Sequence, residues 1–211
     1  GIEADTASQW RTSPQGADYI IISPSTCMAA AVNLGDYRQS KGLRALVVDV
    51  QDVYDEFNYG IIDPEAIHSF LAYAYASWAT PAPSYVVLMG DGNYDPKNYL
   101  KKNKTNFIPP YLEDVDPWIM ETAADNRFVT LSGEDTVPDI MLGRFAVNTL
   151  DEASTMVNKA IAYEETPEDG DWQQQILAVT DDNDGGGMFT VYSDNLISCC
   201  LPAPFTPQKI Y

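Results

Sequence analysis

The chain has 211 residues, of which 31 are acidic and 12 are basic, and its formal net charge at pH 7 is −19. This charge argues against nucleic acid and anionic membranes as partners, because both require positively charged protein surfaces. It is compatible with divalent cations or cationic substrates, and also with a charge that only keeps the protein soluble. No apolar stretch approaches the roughly 20 residues that a membrane-spanning helix needs.

Three short apolar runs in the first half of the chain predict strands that are buried on both faces. After a polar, irregular lead-in at residues 1–17, these runs occur at Asp18–Ser23, Leu43–Val50 and Tyr85–Gly90. Continuous apolar runs of this length are typical of strands in a parallel sheet. A helix is predicted between the first two strands, at Ser25–Lys41.

A second helix is predicted between the second and third strands. Asp63 is a favourable N-cap, and Pro64 suits the first helical position. Apolar residues then follow at helical spacing, namely Ile67, Phe70, Leu71, Ala74, Tyr75 and Trp78. Before this helix we predict an acidic, aromatic loop at Gln51–Asp63. The alternation of strand and helix indicates βαβ units, and therefore an α/β fold with mostly parallel sheets flanked by helices.

The patterns are weaker in the middle of the chain. Residues 92–118 are rich in Asn, Lys, Pro and Tyr and show no periodicity, which predicts a long connection. Two strands are then predicted around a turn at Gly133, at Asn126–Leu131 and at Asp139–Phe145.

The last part of the chain again alternates between helix and strand. Thr149 and Glu152 have the spacing of a capping box, which predicts the start of a core-facing helix. A buried strand at Gln175–Asp182 and a helix at Phe189–Cys200 follow, and Lys209–Tyr211 has the pattern of a strand that has just begun. Because domains rarely end within the first residues of a strand, we expect the protein to continue beyond Tyr211.

Two of the predicted strands end at an aspartate, Asp49 and Asp91. Ligands on parallel sheets bind beyond the carboxyl ends of the strands, so this edge is where we expect a site. One hypothesis is a phosphate-transfer enzyme that uses either aspartate. Against it, the sequence VVDVQD around Asp49 lacks the Asp-x-Asp spacing of haloacid-dehalogenase-type phosphatases. The sequence GDGNYD after the third strand also lacks the glycine spacing of nucleotide-binding loops.

The histidine and the cysteines of the chain predict no catalytic dyad. A Ser-His-Asp or Cys-His site requires a histidine as base. The one histidine, His68, lies off the apolar face of its helix, so we expect it to point to solvent. The three cysteines, Cys27, Cys199 and Cys200, have the spacing of neither a disulfide framework nor a zinc site, and we interpret them as core thiols.

Two acidic loops are candidates for calcium binding. One contains Asp181 and Asp184 in the sequence DDNDGGG. It is not an EF-hand, because alignment on Gly185 places Thr180 and Val191 at the two positions that require Asp and Glu. The other loop contains the acidic residues Glu113, Asp114, Asp116 and Asp125. The alternative for both loops is an ordinary solvated turn.

Several segments, taken in order, resemble the successive blocks of one peptidase family. They are ADYIIISP, YRQSKGLRALVVDVQDVYDEFNYGIIDPEAIHSFL, YVVLMGDGNYDP, AADNRFVTL, VPDIMLGRFAVNTLDEASTMVNKAIAYE and ILAVTDD. Together they resemble the gingipain family of cysteine peptidases, the C25 family, from about Asp18 to Tyr211. The most specific piece is VPDIMLGRF followed by a helix that ends in Tyr-Glu.

The resemblance implies a caspase-like fold and a secreted or cell-surface cysteine endopeptidase that acts on peptides or proteins. It implies an N-terminal α/β subdomain, which we place at residues 18–118, and an incomplete catalytic-type subdomain at residues 119–211. The family's nucleophilic cysteine and its histidine base, in a Gly-His-Gly setting, are expected beyond Tyr211. The chain by itself is therefore expected to be inactive, and Cys199 and Cys200 are expected to precede the catalytic region.

Individual residues can be matched to the family in few places. Asp139 in VPDIMLGRF matches an acidic residue that, in the family, hydrogen-bonds the catalytic histidine. The alternative interpretation of Asp139 is purely structural: an aspartate at a strand end whose carboxylate binds backbone amides. Structural calcium in the family makes Asp91, Asp95, Asp116 and Asp125 candidates.

A rival interpretation is a non-catalytic binding or scaffold module with the same fold. Either kind of protein, if its sheet has an open edge, is expected to be able to dimerise through that edge.

Overall fold

The computed structural model describes residues 7–12, 16–104, 106–115, 117–133 and 135–211. The chain forms two compact units, Gly1–Glu165 and Thr166–Tyr211. Of the residues discussed above, Asp116 and two parts of the lead-in, residues 1–6 and 13–15, lie outside the described residues. Across the described ranges, no helix is both long enough and apolar enough to cross a membrane.

The first unit is built on a parallel sheet. Its strands are β1 (Tyr19–Ser23), β2 (Ala45–Asp49), β3 (Tyr85–Met89), β4 (Leu112–Asp114), β5 (Glu121–Ala123) and β6 (Met141–Phe145). Four of them form the sheet in the order β2-β1-β3-β6, and every neighbouring pair is parallel. β4 and β5 form a separate antiparallel pair. The predicted α/β class with a mostly parallel sheet is confirmed.

Four α-helices flank this sheet: α1 (Met28–Ser40), α2 (Val50–Asn58), α3 (Pro64–Ser77) and α4 (Leu150–Glu165). The N-cap of α3 is the predicted one, since an Asp63 carboxylate oxygen accepts a hydrogen bond from the Glu65 amide at 2.8 Å. The capping box of α4 is modified. Thr149 Oγ1 accepts from the Glu152 amide, but the Glu152 carboxylate accepts from the amide of Asn148.

The apolar side chains of the sheet divide into two cores, one on each face. Because side chains alternate along a strand, neighbouring residues of β1 and β3 enter different cores. The core under α1 and α4 contains Tyr19, Ile21, Cys27, Ala31, Leu34, Val87, Met89, Ala153 and Val157. The core under α2 and α3 contains Ile20, Ile22, Val48, Val53, Tyr54, Ile67, Phe70, Leu71, Val86, Leu88 and Phe128.

The division into compact units lies elsewhere than the subdomain boundary implied by the family resemblance, and that boundary stays a prediction. β6 pairs with β3 in register from Tyr85–Met141 to Met89–Phe145, so residues that we assigned to a second subdomain complete the first sheet. The first compact unit ends at Glu165. The parallel pairing of β6 is long-range, and the chain leading to it contains no helical pattern that would have indicated a crossover.

Two local predictions are wrong. The predicted loop at Gln51–Asp63 contains α2, in which Val53 and Tyr54 are buried against the sheet. The predicted strand at Asn126–Leu131 is a 3₁₀ helix at Asp125–Val129. Its apolar residues Phe128 and Val129 are buried in the core under α2 and α3 and do not pair with a strand.

The second unit is a βαβ element. It consists of β7 (Gln175–Val179), α5 (Phe189–Cys200) and β8 (Thr206–Ile210), and its two strands pair in parallel. The last strand therefore begins three residues before the predicted one. A short 3₁₀ helix at Asp171–Gln174 leads into β7.

Candidate functional site

The carboxyl edge of the first sheet holds two aspartates in structural roles. Asp49 caps α2, because its carboxylate accepts a hydrogen bond from the Gln51 amide at 2.9 Å. The Asp91 carboxylate accepts from the Gly92 amide at 2.9 Å and from Asn148 Nδ2 at 3.1 Å. This arrangement joins the loop after β3 to the start of α4, and it offers no support for phosphate transfer by either aspartate.

Arg144 on β6 connects three segments at this edge. Its Nε and Nη2 donate to the two carboxylate oxygens of Asp125 at 2.6 and 2.9 Å. Its Nη1 donates to the carbonyl oxygens of Gly90 and Ile108 at 2.9 and 3.0 Å. The bidentate geometry makes this a strong charge-assisted pair. Arg144 thereby fixes the two ends of the long loop between β3 and β4.

Asp139 lies at the opposite, amino-terminal end of β6. Its Oδ2 accepts hydrogen bonds from the amides of Leu131 and Ser132 at 2.6 and 2.9 Å, and its Oδ1 accepts from Ser132 Oγ at 2.7 Å. The Ser132 hydroxyl and these two amides hold the pKa of the Asp139 carboxyl below its usual value. A carboxylate has about four lone-pair positions, so Asp139 keeps capacity for one further donor.

Asp125 and Asp139 line the same cleft. The cleft has a volume of about 710 Å³ and lies beside the edge strand β6. Its other lining residues include Ser84, Asn126 and Met141. Met141 is 70% exposed, so the cleft presents apolar surface next to two carboxylates. Among the sequence-predicted residues, these two are the ones that the fold brings to a common cavity, and the cleft is the candidate functional site of this unit.

His68 does not point freely to solvent as predicted. Its Nε2 donates to the carbonyl oxygen of Thr130 at 3.1 Å, and its Nδ1 lies 3.4 Å from a carboxylate oxygen of Glu65. Its side chain is 27% exposed. Because a carbonyl oxygen only accepts hydrogen bonds, Nε2 is the donor in the contact with Thr130. The imidazole therefore connects α3 to the segment after the 3₁₀ helix.

The cysteines of the chain divide between core and surface. Cys27 is buried in the core under α1, and burial raises the pKa of its thiol. Cys199 and Cys200 are exposed at the end of α5, so the prediction of core thiols is correct for Cys27 and wrong for these two. Cys27 lies on one face of the sheet, whereas α3, which carries His68, packs on the other. These two residues therefore form no dyad.

The calcium candidates lie in different surroundings. The carboxylate of Asp125 is bound to Arg144, and both oxygens of Asp95 accept hydrogen bonds from the amides of Tyr99 and Leu100. Because these carboxylates already bind a guanidinium or two amides, they are poorly placed to bind a cation. Asp181 and Asp184 each bind one nearby amide of their own turn. In the described part of the chain, no three His, Cys, Asp or Glu side chains converge on a common point. Calcium binding stays a prediction.

Sequence reasoning missed Arg144 and Tyr54. An arginine within a strand was visible in MLGRF, but its three partners are distant in sequence. Tyr54 has a buried hydroxyl that forms no hydrogen bond with the described residues, and burial raises its pKa. No sequence pattern indicated the contacts of Arg144 or the burial of the Tyr54 hydroxyl.

The comparisons with known proteins agree with this fold. The model of Peptidase family C25 matches residues 12–211. The chain belongs to peptidase family C25. The resemblance stated from the sequence segments is thus confirmed. A search of curated protein sequences finds no match.

Three solved structures are similar to this C25 chain. Dimeric latent PorU from Porphyromonas gingivalis is 27% identical, with a TM-score of 0.61, over 75% of this chain and 16% of that one. The complex of P. gingivalis RgpB pro- and mature domains is 18% identical, with a TM-score of 0.64, over 92% and 41%. The Arg-specific cysteine proteinase gingipain R (RgpB) is 18% identical, with a TM-score of 0.66, over 97% and 43%.

These likenesses define the fold of the C25 chain as gingipain-like. At 18% identity the RgpB structures show a shared fold and nothing more. The chain spans less than half the length of each of the three solved chains.

Proposed function

We propose that the chain is the first part of the catalytic domain of a gingipain-like cysteine endopeptidase, whose nucleophile and base lie beyond residue 211. The family match over residues 12–211 is the observation that carries this proposal. The position of Cys27 and His68 on opposite faces of the sheet supports it, because a cysteine peptidase requires a thiol within hydrogen-bond reach of an imidazole. On this proposal the 211-residue chain is inactive alone.

Asp139 is the residue of this chain that we propose acts on the catalytic histidine. It would accept a hydrogen bond from the imidazole, fix its orientation and stabilise its charged form. An aspartate carboxyl is ionised at neutral pH, the state that this role requires, and the hydrogen bonds that lower its pKa favour the same state. Asp139 is a positioning residue, since it would act through the histidine and not on the substrate.

The remaining features of the proposal follow from family resemblance. The substrates are peptides or proteins, and the protein is secreted or at the cell surface. Calcium is proposed as a structural ligand, with the Asp181–Asp184 turn and Asp91 as the described candidates. Calcium binding is tested by thermal melts in calcium and in chelator. A ligand that binds only the native state raises the melting midpoint, so the midpoint should be higher in calcium.

A dimer through an edge of the sheet is proposed as well, since β2 and β6 are the outer strands of the described sheet. Sedimentation velocity at high concentration tests the dimer, and a monomer under those conditions would count against it.

The positioning role of Asp139 is tested in the full-length protein. Asp139→Asn is expected to lower kcat by at least about tenfold and to change KM little, because it alters the transition state through the histidine. The pH at which activity rises should also shift, which loss of stability alone would not produce. Asp36→Asn, at an exposed position of α1, is the control and should leave both parameters unchanged. Unaltered kcat in folded Asp139→Asn would refute the role.

A further inference from the structure

The loop after β3 concentrates positive charge on an acidic protein. We call residues 93–104 the basic loop. It contains four of the seven lysines of the chain, which are Lys97, Lys101, Lys102 and Lys104. Its one acidic residue is Asp95, so the loop contributes +3 to a chain whose net charge is −19. Such a local reversal of sign produces a positive potential that favours negatively charged ligands.

The positive charge of the basic loop is available to a partner. All four lysines are exposed. Within the described ranges, none of their ammonium groups forms an ion pair with a carboxylate, whereas Lys41 and Lys209 pair with Glu165 and Asp194. The carboxylate of Asp95 is turned to the backbone, where it accepts from two amides of the same loop. The loop therefore does not neutralise its own lysines.

Asparagines within the basic loop and next to it hold it in shape. Asn98 Nδ2 donates to Asn103 Oδ1 at 2.7 Å, and the Asn103 amide donates back to Asn98 Oδ1 at 2.9 Å. Asn93 Oδ1 accepts from the Asp95 amide at 2.7 Å, and the Asn93 amide donates to Asn106 Oδ1 at 3.1 Å. Because these contacts already order the loop, a partner that binds it loses less affinity to the ordering of the loop than it would on a flexible loop.

Two clefts flank the lysines. They have volumes of about 240 and 460 Å³, and both are lined by Asn93, Tyr94 and Lys104. The smaller cleft adds Lys102, Leu100 and Asp95, and the larger cleft adds Asp91. Tyr94 is 68% exposed and Leu100 is 53% exposed. The surface therefore places ammonium groups, amide groups and apolar side chains next to one another, at the carboxyl edge of the parallel sheet.

We propose that the basic loop is a docking surface for an acidic polypeptide segment. Glutamate or aspartate side chains of the partner bind Lys102 and Lys104, and an apolar side chain contacts Tyr94 and Leu100. The charge of the remaining chain favours a short peptide over nucleic acid or an anionic membrane, because an extended polyanion would also meet the acidic surface. The proposal does not depend on where the peptidase nucleophile lies.

The test uses the 211-residue chain and a fluorescein-labelled, glutamate-rich peptide that contains tyrosine and leucine. Binding is followed by fluorescence anisotropy, and the same peptide with glutamine in place of glutamate is the reference. We expect the glutamate peptide to bind about tenfold more tightly, and added salt to weaken its binding. Lys104→Gln is expected to weaken binding about threefold, and Lys102→Gln/Lys104→Gln further.

The matched control is Lys159→Gln, which makes the same charge change at an exposed position of α4 and should leave binding unchanged. Because all these lysines are exposed, the variants should melt at the same temperature as the parent chain. The proposal is overturned if the glutamate peptide does not bind, or if Lys159→Gln weakens binding as much as Lys104→Gln. Tighter binding of an oligothymidylate than of the peptide would also overturn it, in favour of a general polyanion surface.

Discussion

Arg144 joins segments of the first unit that lie far apart in the sequence. It binds Asp125 on the 3₁₀ helix and two carbonyl oxygens at the ends of the loop after β3. The side chains of Arg144 and Asp125 are only 14% and 26% exposed. Because solvent screens this pair weakly, removing the guanidinium leaves a carboxylate and two carbonyl groups with poor compensation.

We predict that Arg144→Met lowers the free energy of unfolding by about 2–4 kcal/mol, between the values for exposed and fully buried ion pairs. Urea unfolding measures the change. Arg127→Met is the control, because its ion pair with Glu113 is nearly half exposed on both sides. It should cost at most about 1 kcal/mol. Equal losses in the free energy of unfolding would show that the contacts of Arg144 stabilise the unit no more than an exposed ion pair does.

Asp139 gives the stability of the first unit a defined pH dependence. Its folded-state pKa is depressed, so its contribution is complete above the ordinary aspartate pKa and is lost as the pH falls through the folded-state value. We predict that the difference in melting midpoint between the parent chain and Asp139→Asn is largest above about pH 5 and shrinks in more acidic solution. Thermal melts across this range measure it. A difference in melting midpoint that does not change with pH would contradict the lowered pKa of Asp139.

At the scale of elements, the sequence predicted those helices and strands whose burial is visible in a local pattern. β1 and β3 are continuous apolar runs because both of their faces are covered. α3 has a one-sided apolar pattern and a local N-cap. α2 was missed because its acidic, exposed positions obscure the three residues that are buried, Val50, Val53 and Tyr54.

Glu56 on α2 binds the lead-in. Its carboxylate accepts hydrogen bonds from Ser8 Oγ and from the amides of Trp10 and Arg11, at 2.6, 2.9 and 2.7 Å. Desolvation opposes the charge of Glu56, but these three donors outweigh it and lower the pKa of the carboxyl. Residues 7–12 are therefore attached to α2 and are not the loosely held segment that was predicted.

We predict that Glu56→Ala speeds hydrogen exchange at the amides of Trp10 and Arg11, while exchange in β1 stays unchanged. Exchange followed by mass spectrometry measures the effect. Asp55→Asn is a matched control on the same helix, because its carboxylate binds the side chain of Gln51 and not the lead-in. Unaltered protection in Glu56→Ala would mean that packing alone holds the segment.

At the scale of the whole molecule, sequence blocks predicted the family but not the division into units. The family blocks are local, and their order survives in the chain. The membership of β6 in the first sheet depends on long-range parallel pairing, which no local pattern encodes. For the same reason, the candidate site could be predicted only in part. Asp139 was recognised from its motif, whereas its shared cleft with Asp125 depends on where β6 and the 3₁₀ helix meet.

On the proposal above, this chain supplies the scaffold and a positioning carboxylate, while the nucleophile lies further along the protein. The decisive test is the peptidase activity of the full-length protein with Cys27→Ala, Cys199→Ser and Cys200→Ser combined. We predict that this variant still cleaves peptides, that iodoacetamide abolishes the cleavage, and that the 211-residue chain alone shows none. Loss of activity in the folded variant, or activity in the 211-residue chain, would contradict the claim.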